Sequence, residues 1–558
     1  MSDKRTTKYA IAGRASLFIR TRNFPYMLID AILIFSLITS VIVFIAVPFG
    51  CVFKESFILN GTFDFSLLKA VLNDNVRLLQ HSLSVGVCTT LLTALASAAT
   101  AIFFFMSPKK LKTAVFFILA VSMISPPFVT ALTYINLFGR RGLISYYLLG
   151  ISQSPYGMTG IVLMQTLSDF SLGALILIGF LNTIDRFQLD SARNLGAHTN
   201  RLIVDIMLPQ LFPALKAVML LTFFRSISDF GTPAIIGGSF DVLATESYFA
   251  VIAHGNLGKA SAINIVMLLP SLLVFFFYQR SIKNLQVAPH GITASESEIQ
   301  RSGIVYYCIS GIALFFLLWV SIQYGSIILS AFTQMKKGKL FFTLAHFGET
   351  VPHIRGTVGR TILYSFIAAM GGSILGLLIA YYKHIRGLYS MKCIDFIASL
   401  PYIIPGTFLG LGYLLAFNAK PLMLTGTAAI VILNILFKQL PFSTKVGAAA
   451  MEDIRLDILQ SIRDLGGSRF HEVTDAVIPL SRHALGLSFI NGFTSTMTTI
   501  GSIIFLVYPG QKVLTLVMFD VIQSGYYEIG SVIALMIIAI CAAVNIAYQL
   551  LERKYRCI

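Results

Sequence analysis

Arg225 and Asp229 stand four residues apart inside an apolar run, in FFRSISDFGTPAIIGG, the most polar stretch of any candidate membrane segment. A charged side chain at the centre of a membrane helix costs about 2.5–3.5 kcal/mol on insertion scales, so charges there point to a task. On a helix the i, i+4 spacing places both on one face, where they partly neutralise each other. Two chemistries suit such a pair: a polar lining that passes a hydrophilic cargo, or an ion pair that only fastens helices together. We read it as a lining. An offset of 270 positions maps Arg225, Ser226, Asp229 and Gly231 onto Ser495, Thr496, Thr499 and Gly501 in STMTTIG, so a hydroxyl-rich stripe repeats the charged one. The candidate pathway residues are therefore Arg225, Ser226, Asp229, Gly231, Thr496, Thr499 and Gly501. Asp169, Lys438 and Gln439 are further candidates, expected near span ends, where long side chains reach the interface.

No catalytic constellation accompanies them. A phosphate loop needs G-x-x-x-x-G-K-[ST]; Gly258-Lys259 is followed by Ala260 and lacks the earlier glycine. There is no His-Glu-x-x-His, no Gly-x-Ser-x-Gly and no clustered Cys and His, so neither an enzyme nor a metal site is expected. The six cysteines have no paired spacing and indicate no disulfide framework.

The elements that position these residues are membrane helices. The chain has 558 residues, 56% hydrophobic and 12% charged, against about 25% charged in soluble domains. About a dozen runs reach the roughly 20 apolar residues a helical span needs, and the alternating pattern of a barrel is missing. Spans are expected near 26–48, 82–106, 113–137, 160–182, 214–237, 259–278, 303–332, 359–382, 393–417, 427–447, 484–508 and 528–550. Pro126-Pro127 should kink the third, and Pro401, Pro405 and neighbouring glycines recur in the ninth. A short surface helix is expected within FDFSLLKAVLNDNVRLLQ. The run from Tyr26 to Val47 is too long for a signal peptide and reads as an uncleaved first span. The formal charge of +17 is scattered among loops rather than gathered on a face, which argues against nucleic acid. It follows topology instead: Lys and Arg concentrate on the side holding both termini, which the positive-inside rule makes cytoplasmic.

Two loops repeat each other. LDSARNLGAHTNRLIVDIMLP (189–209) and LQSIRDLGGSRFHEVTDAVIP (459–479) match at Leu189/Leu459, Ser191/Ser461, Arg193/Arg463, Leu195/Leu465, Gly196/Gly466, Asp205/Asp475 and Pro209/Pro479. Each reads as a helix ended at Gly, then a second helix ended at Pro. The spacing resembles the EAA loop of ABC-type importer permeases, with Asp190-Ser191-Ala192 and Gln460-Ser461-Ile462 in place of Glu-Ala-Ala; neither copy keeps the family's Glu. SDFGTPAIIGG through FDVLATESYFAVI, LPYIIPG and LPFSTKVGAAAMEDIR look like the fused two-half permeases of the ferric-iron uptake family, whose relatives move thiamine, 2-aminoethylphosphonate or sugar phosphates.

The resemblance implies an all-α integral membrane fold, two parallel six-helix halves of the type I importer kind. The expected organisation is a cytoplasmic flank (1–25), a first half (26–279), a cytoplasmic linker (280–302), a second half (303–552) and a cytoplasmic tail (553–558). It further implies that each loop docks one ATPase subunit through Asp190, Ser191, Ala192, Gly196 and Pro209, or Gln460, Ser461, Ile462, Gly466 and Pro479. Two ATPase copies would hydrolyse ATP-Mg, this chain binding no cofactor of its own. An extracytoplasmic binding protein would deliver the cargo, ferric iron first among candidates, to a multi-pass protein of a bacterial inner membrane. The rival class is an ion-coupled secondary transporter, with Asp229 as a proton or sodium site.

Overall fold

With no water in a bilayer core to satisfy backbone polar groups, runs this apolar can cross it only as helices. The computed structural model describes residues 24–59, 62–126, 128–140, 142–148, 150, 156–184, 186–283, 302–336 and 339–556, and is helical almost throughout. Among them nine helices are long and apolar enough to span: Pro25–Phe57 (span 1), Val76–Met106 (2), Met158–Leu181 (4), Thr199–Ser228 (5), Leu257–Phe277 (6), Ile304–Phe332 (7), Thr357–Ile385 (8), Ala428–Asp453 (10) and Tyr527–Lys554 (12). Two bent pairs supply spans 3 and 9: Lys109–Ile124 with Phe128–Tyr146, bent by 105°, and Tyr389–Tyr402 with Gly406–Ala416, bent by 114°. Span 11 is the 17-residue helix Arg482–Thr498. The helical breaks have local causes: Ser125, just before Pro126, is extended, and Pro405 turns the chain at the matching place. The linker around Ser295 and the chain before residue 24, on which much of the sidedness expectation rested, lie outside the described residues, whereas the basic tail from Arg553 continues the last helix, Tyr527–Arg556.

Among the described residues, strands are confined to two small hairpins, Ile58–Leu59 with Thr62–Phe63 and Thr333–Lys336 with Lys339–Phe342. Each follows the first span of its half and precedes a short helix, Ser66–Asp74 or Ala345–Ile354. Asp64 opens the first of these helices: its carboxylate accepts from the Ser66 hydroxyl and the Ser66 N–H, both at 2.7 Å, which hold its pKa below the usual carboxylate range. With each span crossing once, both hairpins lie at one membrane face and both repeated loops at the other.

Small residues bring spans 2 and 4, and spans 8 and 10, into close contact. A Cβ on Gly173 of span 4 would fall 2.5 Å from Ser97 Oγ of span 2, whereas in the second half the glycine is on the partner: a Cβ on Gly376 of span 8 would fall 2.4 Å from Ser443 Cβ of span 10. The two halves make the same crossing with glycine and serine exchanged.

The first span of each half packs on the other half. Span 1 lies against spans 9 and 10, where Phe44 meets Phe417 and Phe437, and Asp30 pairs with Arg386 and accepts from the Tyr382 hydroxyl (2.8 Å). Span 7 lies against spans 2 and 3, Phe138 stacking on Trp319 at 5.5 Å. The division at 280–302 therefore separates sequence repeats, not packing units. Leu243–Ile252 and Leu514–Gln523 are equivalent helices, and Tyr248 meets its counterpart Phe519 edge to face at 6.3 Å. Side chains at equivalent places can touch only near the axis relating the halves, so this contact marks it.

Candidate functional site

Both repeated loops have one hydrogen-bonded design. The helix Arg186–Asn194 ends with Gly196 N–H donating to Arg193 O (2.8 Å) and Ala197 N–H to Ala192 O (2.9 Å); Leu456–Asp464 ends with Gly466 N–H to Arg463 O (2.8 Å) and Gly467 N–H to Ile462 O (2.8 Å). This is the Schellman arrangement, and its left-handed residue is glycine in each, with φ of +86° at Gly196 and +84° at Gly466. Leu189 and Leu459 anchor the helices inward, while Leu195 and Leu465 stand 89% exposed at the tips. Asp190 faces Arg193 at 3.7 Å, Ser191 and Ser461 are exposed with their carbonyls holding the Leu195 and Leu465 N–H groups, and Gln460 is exposed on the opposite copy.

The prolines do not end the second helices, as the sequence led us to expect. The chain runs helical from Thr199 to Ser228 straight through Pro209, and past Pro479 with one non-helical residue at Ser481. A wide turn precedes each proline, Leu202–Met207 and Glu472–Val477, with Leu208 N–H reaching Ile203 O and Ile478 N–H reaching Val473 O. Such a turn already shifts the hydrogen-bond register by one residue, so the missing proline N–H disrupts nothing further. The second helix of each loop thus forms the first turns of span 5 or runs into span 11 past Ser481.

The copies differ in how they are fixed. Glu472, with a fully buried side chain, accepts from Arg463 Nε (2.6 Å), Arg469 Nη1 (3.0 Å) and the Tyr381 hydroxyl (2.9 Å) at the end of span 8; the corresponding residue in the first copy is Leu202. Each loop also touches the first span of the other half at one equivalent position. Phe470 stacks with Tyr26, and a Cβ on Gly303 would fall 2.2 Å from Asn200 Oδ1.

Midway through the membrane, spans 5 and 11 stop together. Asp229 and Thr499 are extended C-caps, so span 5 ends at Ser228 and not near 237, and span 11 at Thr498 and not near 508. This corrects the expected helical face: Arg225 and Asp229 do not pair. Arg225 Nε instead binds Asp169 Oδ1 of span 4 at 2.6 Å. Asp229 accepts from Gln165 Nε2 (3.2 Å) and from the Gly231 and Thr232 N–H groups (3.0 and 3.3 Å), opening the short helix Gly231–Ile236. Gln165 also takes the Ser226 hydroxyl (2.6 Å) and Thr89 hydroxyl (3.3 Å) on its Oε1. Asp169 and Lys438 fall in the middle of spans 4 and 10, not at their ends, with Gln439 beside Lys438.

In the second half Thr496 turns its hydroxyl back to Gly492 O (2.6 Å), and the Thr499 carbonyl accepts from the Thr515 hydroxyl (3.0 Å). The breaks meet across the axis: a Cβ on Gly501 would lie 3.4 Å from the Phe230 ring and 3.7 Å from Gly406 Cα, and one on Gly231 would collide with Phe128 at 2.3 Å. The two breaks therefore meet in one mid-membrane seam at Phe230, Gly406 and Gly501, beside which Arg225, Asp229 and Thr499 keep accessible surface while Ser226 and Thr496 are buried.

A family model described as binding-protein-dependent transport system inner membrane component matches residues 90–286 and again 372–556. The chain belongs to this family. It carries the family's unit twice, and is a multi-pass inner membrane component with an all-α, type I importer fold. Among its relatives, the ferric transport system permease protein FbpB of Actinobacillus pleuropneumoniae is 30% identical over 436 residues, 75% of this chain and 63% of the relative. A putative ferric transport system permease protein of Haemophilus influenzae is 31% identical over 405 residues, 70% of this chain and 64% of the relative. A putative 2-aminoethylphosphonate transport system permease protein of Salmonella typhi is 24% identical over 236 residues, 41% of this chain and 88% of the relative. The chain thus spans just under two thirds of the length of the two ferric relatives.

Gln165 is the residue of this inner membrane component that sequence reasoning passed over. Its signal was present: a Gln in an apolar run four residues before Asp169, hence on the same helix face. Among the described residues no three His, Cys, Asp or Glu side chains gather as a metal site.

Proposed function

We propose that the chain is the membrane subunit of an ATP-driven importer, with ferric iron the leading cargo. The observation that supports this best is the duplicated loop: two helices with the same Schellman cap, each with an exposed leucine tip, on a chain that carries the family's unit twice. Two copies call for two partner sites, each taking one subunit of a separate ATPase that binds ATP-Mg. Because the second helix of each loop runs into span 5 or 11, a displacement of the loop would reach the helix that ends at the seam. The opposite face, with its hairpins and short helices, would receive an extracytoplasmic binding protein. The loop face and both termini would be cytoplasmic. Arg225, Ser226, Asp229, Gly231, Thr496, Thr499 and Gly501 would line the route. The names of the ferric relatives favour iron over the thiamine, 2-aminoethylphosphonate or sugar-phosphate alternatives.

The test is reconstitution with a cognate ATPase and binding protein. Iron accumulation in vesicles that requires ATP supports the reading. Accumulation driven by a proton or sodium gradient without ATP would establish the secondary transporter instead.

A further inference from the structure

We infer that the seam binds its cargo as an anion, through oxygen atoms held between Lys438 and Arg225. The inference rests on the importer reading and adds the charge of what is imported. Lys438 lies mid-way along span 10, half-buried, its Nζ 3.3 Å from where a Cβ on Gly406 would be. Gly406 begins the second arm of broken span 9 and touches Gly501, so the ammonium sits at the junction of the breaks.

No hydrogen bond or ion pair engages Lys438 among the described residues, and the carboxylates nearby are committed elsewhere. Asp169 holds Arg225, and Asp229 is bound by Gln165 and two backbone N–H groups. Gly406 touches Gly501, which faces the Phe230 ring just past the break that follows Arg225, so Lys438 and Arg225 approach one junction. Arg225, in the last turn of span 5, uses only Nε toward Asp169 and leaves 47% of its side chain accessible, so its outer guanidinium nitrogens are not engaged by a hydrogen bond among the described residues.

An unpaired ammonium in the membrane interior is costly unless something arrives to pair with it. Two cations with donors only, one a planar fork, match an oxyanion or a carboxylate. A bare trivalent cation would meet repulsion from both and finds Asp169 and Asp229, the carboxylates described at the seam, already engaged. Ferric iron would therefore cross wrapped in anionic oxygen ligands; a free oxyanion would satisfy the same site.

The experiment uses the full chain in lipid nanodiscs, with citrate, inorganic phosphate and ferric citrate as probes. Each anion should raise the Tm of wild type. Lys438→Met should weaken this response at least tenfold in concentration and Lys438→Arg should keep most of it. Without probe, Lys438→Met should melt no lower than wild type, because an unpaired buried charge has been removed. Stabilisation by ferric citrate alone would assign the site to the iron complex, and stabilisation by all three to oxyanions generally. A Lys438→Met variant that responds like wild type overturns the inference, as does one that melts markedly lower without probe. In reconstituted vesicles, wild-type import with undiminished import by Lys438→Met would reject the anion site and leave the importer standing. Loss of ATP-driven import in wild type with the Lys438-dependent Tm response intact would reject the importer alone.

Discussion

Arg225 Nε lies 2.6 Å from Asp169 Oδ1, fastening span 5 to span 4 at mid-membrane and leaving Asp229 to Gln165 and the backbone. The arrangement gives Arg225 a carboxylate from another span, where a helical drawing of the sequence would have paired it with Asp229.

Removing either partner should strand the other. Arg225→Gln and Asp169→Asn should each cost on the order of 2 kcal/mol, below the about 3–5 kcal/mol of a wholly buried pair because Arg225 keeps accessible surface. The Arg225→Gln, Asp169→Asn double variant should recover much of the loss, whereas Arg225→Gln with Asp229→Asn should recover none. Thermal unfolding in detergent of the singles and both doubles measures this coupling.

At the loops, Gly196 and Gly466 have open space where a Cβ would be, so only their φ resists substitution. Valine at either should cost about 1–2 kcal/mol of local stability and misdirect the leucine tip, while asparagine, which tolerates αL, should be near neutral. Membrane insertion should be unchanged in all four variants, and uptake lost only with valine.

Glu472 should matter to one loop only. Glu472→Gln weakens three charge-assisted hydrogen bonds, and hydrogen exchange over 456–480 should quicken by tenfold or more while 186–210 keeps its wild-type rate. Equal acceleration in both loops would show that they are not separately anchored.

The helices were legible because their length and apolarity admit no other structure in lipid, and the twin loops because the repeat is in the residues themselves. What escaped depends on contacts between segments far apart. Pro209 and Pro479 read as stops because the wide turn before each, which absorbs the lost N–H, leaves no mark in composition. Arg225 and Asp229 read as a pair because periodicity cannot show that the helix ends at Ser228. The exchange of spans 1 and 7 between halves follows from packing alone: Phe44 carries no sign that its partners are Phe417 and Phe437. Gln165 was visible as a polar residue but not as the hub joining Thr89, Ser226 and Asp229.

Leu195→Asp and Leu465→Asp should each weaken ATPase binding by about 10- to 100-fold, the loss of one leucine's burial of about 1.5–3 kcal/mol, without affecting the fold. Pull-down titration of the ATPase against each variant and against both together measures it, and the double variant should retain no binding.

The most direct measurement is site-directed cross-linking of the reconstituted complex. In a background without native cysteines, Leu195→Cys and Leu465→Cys carry a short bifunctional reagent in the presence of the cognate ATPase. Each variant should capture one ATPase subunit, and the double variant two. Capture at neither tip, with cross-links forming instead at the hairpin face, would contradict the account.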